Sequence, residues 1–284
     1  MKKGTIIWLV VASIFFLVGI SVFIGTMIMC DFDFSKLSTE KYETNEHMIT
    51  DNFASIIIDT DCSDITFVPS EDQNCRIACY ERVKEKHTVE MQGETLSVRM
   101  VDTREWYEHI GIFSMGSPKI TVYLPEKQYD LLTIKDSTGD VEIPKDFKFK
   151  NIDISVSTGD VKNYASVSEN IEIKVTTGDV YLTDVRCNNL QTAGDTGDVT
   201  LQNVIANGKI SIQRTTGDVK LDKCDSSEIL VKTDTGDVSG SLLSDKIFLA
   251  EADTGEVKVP KTTTGGKCEI ETDTGDIKIR IESN

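Results

Sequence analysis

The residues with the most chemical potential in this chain are acids set at a fixed interval. Asp140, Asp160, Asp179, Asp198, Asp218, Asp237, Glu256 and Asp276 each follow a Thr-Gly pair, and a second acid precedes the later pairs at Asp195, Asp234, Asp253 and Asp273. A carboxylate at a bend accepts hydrogen bonds from nearby backbone N–H groups and keeps the bend solvated. That is the expected role. The same oxygens suit Ca²⁺, which takes about six to eight of them, and Asp195 with Asp198 and Asp234 with Asp237 are the candidate ligands. The nine-residue Gly and Asp pattern of calcium-binding β-rolls is absent, and no cofactor besides Ca²⁺ is implied.

A second group of interest is aromatic. Between Asp102 and Ser117 stand Trp106, Tyr107 and Phe113, with His109, Ile112 and Met115 among them. Exposed aromatics form interfaces, so these three are candidate partner-binding residues; the alternative is a plug folded over the mouth of the domain. Enzymatic chemistry has little to work with. The three histidines, His47, His87 and His109, are scattered, and no Gly-x-Ser-x-Gly elbow, His-Glu-x-x-His, Walker sequence or paired CxxC occurs. Acidic clusters do host sugar hydrolysis on solenoids, but repeats held to one length leave no long loops to wall a groove. The expectation is a chain that is not an enzyme.

What positions these residues is a repeat. The eight glycines, Gly139, Gly159, Gly178, Gly197, Gly217, Gly236, Gly255 and Gly275, stand 19 or 20 residues apart. A unit that short cannot bury an apolar face alone, so each must lean on the next. Seven and five residues before each Gly the chain reads Ile152/Ile154, Ile171/Ile173, Ile210/Ile212 and similar pairs; two and four after it come Val141/Ile143, Val180/Leu182 and their equivalents. Period-two alternation on both sides predicts two strands per coil around a Thr-Gly-Asp corner. A further column at plus seven, Val185, Val204, Cys224 and Leu243, predicts another inward bend. Upstream, Ser63 takes the Gly place in a degenerate first coil, with Ile56 and Ile58 before it and Ile65 and Phe67 after. The intervening runs Cys75 to Tyr80, Thr95 to Val101 and Lys119 to Leu124 read as a β cap over the exposed edge.

The fold class is therefore all-β: a β-solenoid of about eight 19–20-residue coils with an N-terminal β cap, preceded by one transmembrane helix. Lys2 and Lys3 precede an uncharged run from Gly4 through Cys30, which as a helix spans roughly 40 Å against a hydrocarbon core of about 30 Å. No small-x-small cleavage site ends it, so an uncleaved anchor is expected over a signal peptide, with the positive end in the cytoplasm and the remainder outside. The domains are then 1–30, a short cytoplasmic N-terminus and anchor; 31–52, a flexible linker; 53–135, the degenerate coil and cap; and 136–284, the repeat solenoid.

With 47 Asp plus Glu against 30 Lys plus Arg, the formal net charge is −17, a field that repels phosphate backbones and excludes nucleic acid as a partner. The cysteines number seven, an odd count. Cys224 and Cys268 fall in core columns as buried thiols; Cys75 with Cys79 is too far apart along one strand to bond, while Cys62 with either stays open.

The segment Ser-Pro-Lys-Ile-Thr-Val-Tyr-Leu-Pro from Ser117 to Pro125, followed by Leu131 to Asp136 and the Thr-Gly-Asp-Val corners, resembles the bacterial putative-adhesin family of unknown function, which includes LiaG-like envelope proteins. The resemblance covers about residues 53 to 281. It implies a β-solenoid, often membrane-tethered, associated with the cell envelope and envelope stress, and it carries no catalytic residues. The expected function is a membrane-anchored extracytoplasmic binding or scaffold module whose partner is an envelope protein or glycan. The rival is a self-assembling structural element, pairing through an open edge at the last strand, Ile277 to Ile281; a glycan-acting enzyme ranks third.

Overall fold

The computed structural model describes residues 3–29, 31–32, 41–71, 73–105 and 116–282. A helix, α1 (Lys3–Met29), is apolar on all sides, and its mean hydropathy of 2.8 over Gly4–Met29 suffices to cross a membrane by length and composition. Ten stacked layers follow, formed by the eight Thr-Gly-Asp coils and two layers ahead of them. At about 4.8 Å per layer they make a rod roughly 45 Å long.

The N-terminal end contains β1 (Tyr42–Ile49), β2 (Ser55–Asp59), β3 (Asp64–Pro69), β4 (Cys75–Arg82), β5 (Glu85–Gln92), β6 (Thr95–Asp102) and β7 (Lys119–Leu124). The degenerate coil is β2 and β3. It stacks in parallel register on the first regular coil, Ile56 on Leu132, Ile58 on Ile134 and Ile65 on Val141. Strands β6 and β7 form one more layer beyond it, with Ile56 against Leu96 and Ile65 against Ile120. Antiparallel strands then close the end: β5 on β6, β4 on β7 and β1 on β4. Two expectations are corrected here. Residues 42–49 of the expected linker are a strand, because their backbone pairs with β4 in full register from Tyr42–Arg82 to Ile49–Cys75 while Glu43, Asn45, His47 and Ile49 turn inward. The cap also gains β5, whose hairpin with β4 the sequence pattern did not mark.

Each regular coil has up to three sides, as in Asn170–Thr177, Val180–Thr183 and Arg186–Cys187. The second bend places Asp184, Asn203 and Lys223 at φ 57°, 53° and 53°, one above another. Val185, Val204 and Cys224 are fully buried after it, as expected. Leu243 is not; the register slips after Leu221, so Leu242 stacks on Cys224 and Leu243 faces solvent.

The stacking order departs from chain order at the far end. The coil of Gly275 lies between those of Gly236 and Gly255: Val238 pairs with Ile277, and Ile277 in turn with Val257. The strand Ile277–Ile281 is therefore an interior strand over its first residues and not the open edge that was expected. That edge is Lys246–Thr254, which among the described residues pairs only with Gly266–Thr274. Its side chains fit the position: Phe248, Ala250 and Ala252 are half-buried over the end of the core, while Ile247 and Leu249 are exposed. The six described cysteines are all free thiols, with Cys224 and Cys268 in the core, and neither Cys75 nor Cys79 is joined to Cys62.

Candidate functional site

The corner acids do form one file, and the file is a hydrogen-bond ladder. The N–H of Asp140 donates to Oδ1 of Asp64 at 3.0 Å, that of Asp160 to Asp140 at 2.8 Å and that of Asp179 to Asp160 at 2.9 Å. The pattern continues through Asp198, Asp218, Asp237 and Asp276 to Glu256, following spatial order rather than sequence order at the last two. The glycines make this possible by geometry. At Gly178, φ is 139°, and a Cβ would lie 2.7 Å from the carbonyl carbon of Gly159 and closer still to its oxygen. Only a residue without Cβ lets successive corners approach to this distance.

The four acids singled out for Ca²⁺ divide accordingly. Asp198 and Asp237 spend Oδ1 on the N–H groups of Asp218 and Asp276, at 2.8 and 2.7 Å. Asp195 and Asp234 flank a cavity of about 300 Å³ together with Lys174, Gln213 and Arg214. Among the described residues, the metal-capable side chains that converge closely are elsewhere, in the cap. Trp106, Tyr107 and Phe113 lie outside the described residues.

Beside that cavity is Arg214, fully buried in the column that holds Val175 two layers away. Gly194 leaves the space through which Nη1 reaches the carbonyl of Val175 at 2.9 Å. Nε and Nη2 find no partner. Burial lowers the guanidinium pKa, offset in part by Asp179, Asp198 and Asp195. Two other polar sites were not evident from the sequence. An open groove of about 610 Å³ near the far end is lined by Asn207, Asp225, Ser227, Ser244, Lys246 and Thr264 among others, with the Lys246 ammonium, itself buried, 2.6 Å from Asp225. Its residues come from bends in coils far apart in sequence, so no local motif announces it.

The second is inside the cap. Cys79 and Glu81 share the inward face of β4, and His87 joins them from β5. His87 Nδ1 lies 2.7 Å from Glu81 Oε2, which also accepts the His87 backbone N–H at 2.6 Å, while Asn45 donates to Glu81 Oε1 at 2.7 Å. His87 Nε2 is 2.8 Å from Thr60 Oγ1. Burial raises the Glu81 pKa, but the His87 and Asn45 bonds outweigh it and hold the carboxyl below its ordinary value. Burial, and then the Glu81 charge, push the Cys79 thiol up to about 12. Hydroxyl, imidazole and carboxylate stand here in the order of a hydrolytic triad. Thr60 is buried and donates to Ser63 Oγ at 3.3 Å, so the hydroxyl is engaged in the cap's interior, whereas a nucleophile needs an open approach.

Residues 53–204 and 162–284 match the Toastrack DUF4097 family, and the chain belongs to that family. Solved structures share the fold at low identity. A putative adhesin from Bacteroides fragilis is 17% identical, with 86% of this chain and 98% of that one aligned at a TM-score of 0.52. A putative lipid binding protein from Parabacteroides distasonis is 14% identical over 84% of this chain and 97% of that one, with a TM-score of 0.53. No curated protein matches the sequence.

Proposed function

We propose that this chain is a membrane-anchored, extracytoplasmic binding and scaffold module of the bacterial cell envelope. The observation that carries the reading is the junction of an apolar helix, bare of protein cover along nearly all its length, to a rigid rod. In the rod the corner carboxylates hold coils together, while the polar groove of Asp225, Ser227, Ser244 and Lys246 stands open. The helix holds the chain at the bilayer; the rod presents fixed polar surfaces about 45 Å in extent to envelope proteins or glycans. The structural neighbours, named a putative adhesin and a putative lipid binding protein, support this assignment.

The test combines topology and capture. A cysteine-free variant carrying one reporter cysteine at Asp153 should react with a membrane-impermeant maleimide on intact cells, and the full chain should retain an envelope protein or glycan that Ser227→Trp, which fills the groove, releases. Labelling only after lysis would defeat the topology, and capture indifferent to Ser227→Trp would defeat the groove. One observation favours self-association as a second reading: the edge strand Lys246–Thr254 exposes Ile247 and Leu249 beside the end of the core. Light scattering that showed a monomer at all concentrations would exclude it.

A further inference from the structure

The cap carries a carboxylate, an imidazole and a thiol in one buried place, and neither the anchor nor the rod explains them. We propose that Cys79, Glu81 and His87 form a binding site for a thiophilic divalent cation, Zn²⁺ being the best fit. Their ligand atoms all lie within 4.8 Å of one another, and all three residues are buried. Ligands on a tetrahedral zinc stand roughly 3.4–3.8 Å apart, given bonds of about 2.0–2.3 Å, so the trio closes on an ion by small side-chain adjustments.

The charge balance selects the ion. A thiolate and a carboxylate with a neutral imidazole total two negative charges, which a divalent cation cancels; a buried site tolerates a neutral cluster far better than a charged one. On binding, the Cys79 thiol proton leaves to solvent and a sulfur lone pair becomes a metal bond; the neutral His87 keeps its one ring proton on Nε2, facing Thr60 Oγ1, and offers its Nδ1 lone pair to the ion. The surroundings are already those of a ligand shell. Thr60 Oγ1 sits 2.8 Å from the far ring nitrogen of His87, and Asn45 fixes the other oxygen of Glu81. Partners of this kind orient metal-binding imidazoles and carboxylates.

A second observation points the same way. In the β1–β4 register Asn45 faces Cys79 and His47 faces Ile77, which puts His47 diagonal to Cys79 on the same inward side. Its Nε2 is a buried nitrogen without a hydrogen-bond partner. It is a candidate for the fourth position of a closed, structural site, which water would otherwise fill.

The experiment uses the full chain purified in detergent under reducing conditions, titrated with Zn²⁺ and, separately, Co²⁺. We expect about one equivalent bound, about one proton released per ion, from Cys79, and a thiolate-to-cobalt charge-transfer band in the near ultraviolet. Binding should raise the thermal midpoint. Cys79→Ser should abolish the band and weaken zinc at least about tenfold, whereas Cys75→Ser, which alters a buried thiol of the same strand outside the trio, should keep both. His47→Gln, if His47 is the fourth ligand, weakens binding while leaving the sulfur band. Failure to take up either metal would overturn the proposal, as would cobalt binding without a sulfur band. Because the wild-type spectrum decides the sulfur ligand, a Cys79 variant that fails to fold leaves the test intact.

Discussion

Replacing Gly178 with alanine should damage the protein far more than the same change at Gly93. At Gly178, φ is 139° and the new methyl would stand 2.7 Å from the carbonyl carbon of Gly159. Non-bonded carbons rest about 3.5–4.0 Å apart, so the neighbouring coil must retreat by roughly 1 Å. The backbone conformation alone costs a residue with a Cβ about 1–3 kcal/mol. The retreat also stretches the Gly159 N–H bond to Thr177, now 3.0 Å, and the Asp179 N–H bond to Asp160, now 2.9 Å. With each bond worth about 1 kcal/mol net, the sum is about 3–5 kcal/mol. Gly93 has φ 64° and nothing within 4 Å of the place a methyl would take, so only the left-handed backbone cost of about 1–2 kcal/mol applies. Urea unfolding of the full chain followed by circular dichroism, with hydrogen exchange localising any opening, measures both variants. Equal midpoints for the two would refute the claim that the corner glycines are required by the approach of the next coil.

Three further outcomes follow from the same geometry. Asp160→Ala removes the acceptor for the Asp179 N–H and should cost about 1–2 kcal/mol, whereas Asp160→Asn keeps an oxygen there and should lie within about 0.5 kcal/mol of the parent; thermal midpoints at low and high salt separate loss of the bond from loss of charge. Asp136 is buried, with Oδ2 unpartnered, and burial outweighs the backbone N–H bonds from Thr138, Ser137 and Ser63 to raise its pKa to about 6. Its protonated form is the one the fold prefers, so stability should increase as pH falls from about 7 to 4, by up to about 3 kcal/mol from this group, and Asp136→Asn should flatten that slope in pH-dependent urea unfolding. Arg214→Leu removes a buried cation whose Nη1 is bonded while Nε and Nη2 are not, and should raise stability by about 1–3 kcal/mol; a lowered midpoint would show that the charge is needed by Asp179 and Asp198.

The regular coils were legible in the sequence because stacking repeats the same side chain in the same place. Ile152, Ile171, Leu190 and Ile210 form one buried column because they occupy one place in the period, and even Ser63 in place of Gly is readable from Ile56, Ile58, Ile65 and Phe67 around it. Order along the rod was not legible. The coils of Gly255 and Gly275 carry equivalent columns, so the pattern accommodates either sequence of layers, and what distinguishes them is subtler: small Ala250 and Ala252 beneath an end, and Glu256 where the ladder stops. The strand Tyr42–Ile49 hid behind its polar inward face, which packs on Glu81 and Cys79 instead of on an apolar core. Cys79, Glu81 and His87 went unassembled for a related reason. They meet only across the β4–β5 turn at Val83 and Lys84, which holds no Gly, Pro, Asn or Asp to mark it.

The interleaving of the final two coils makes the C-terminal stretch a keystone. Residues 266–281 slot between layers laid down before them, so the coil of Gly255 has nothing to rest on until the tail arrives. A nascent chain emerging N-terminus first can wind the earlier layers as it appears, but must hold one turn aside until residues 266–281 follow. Deleting residues 266–281 would therefore not shorten the rod by its last layer; it would pull out an inner course and leave the outermost turn adrift.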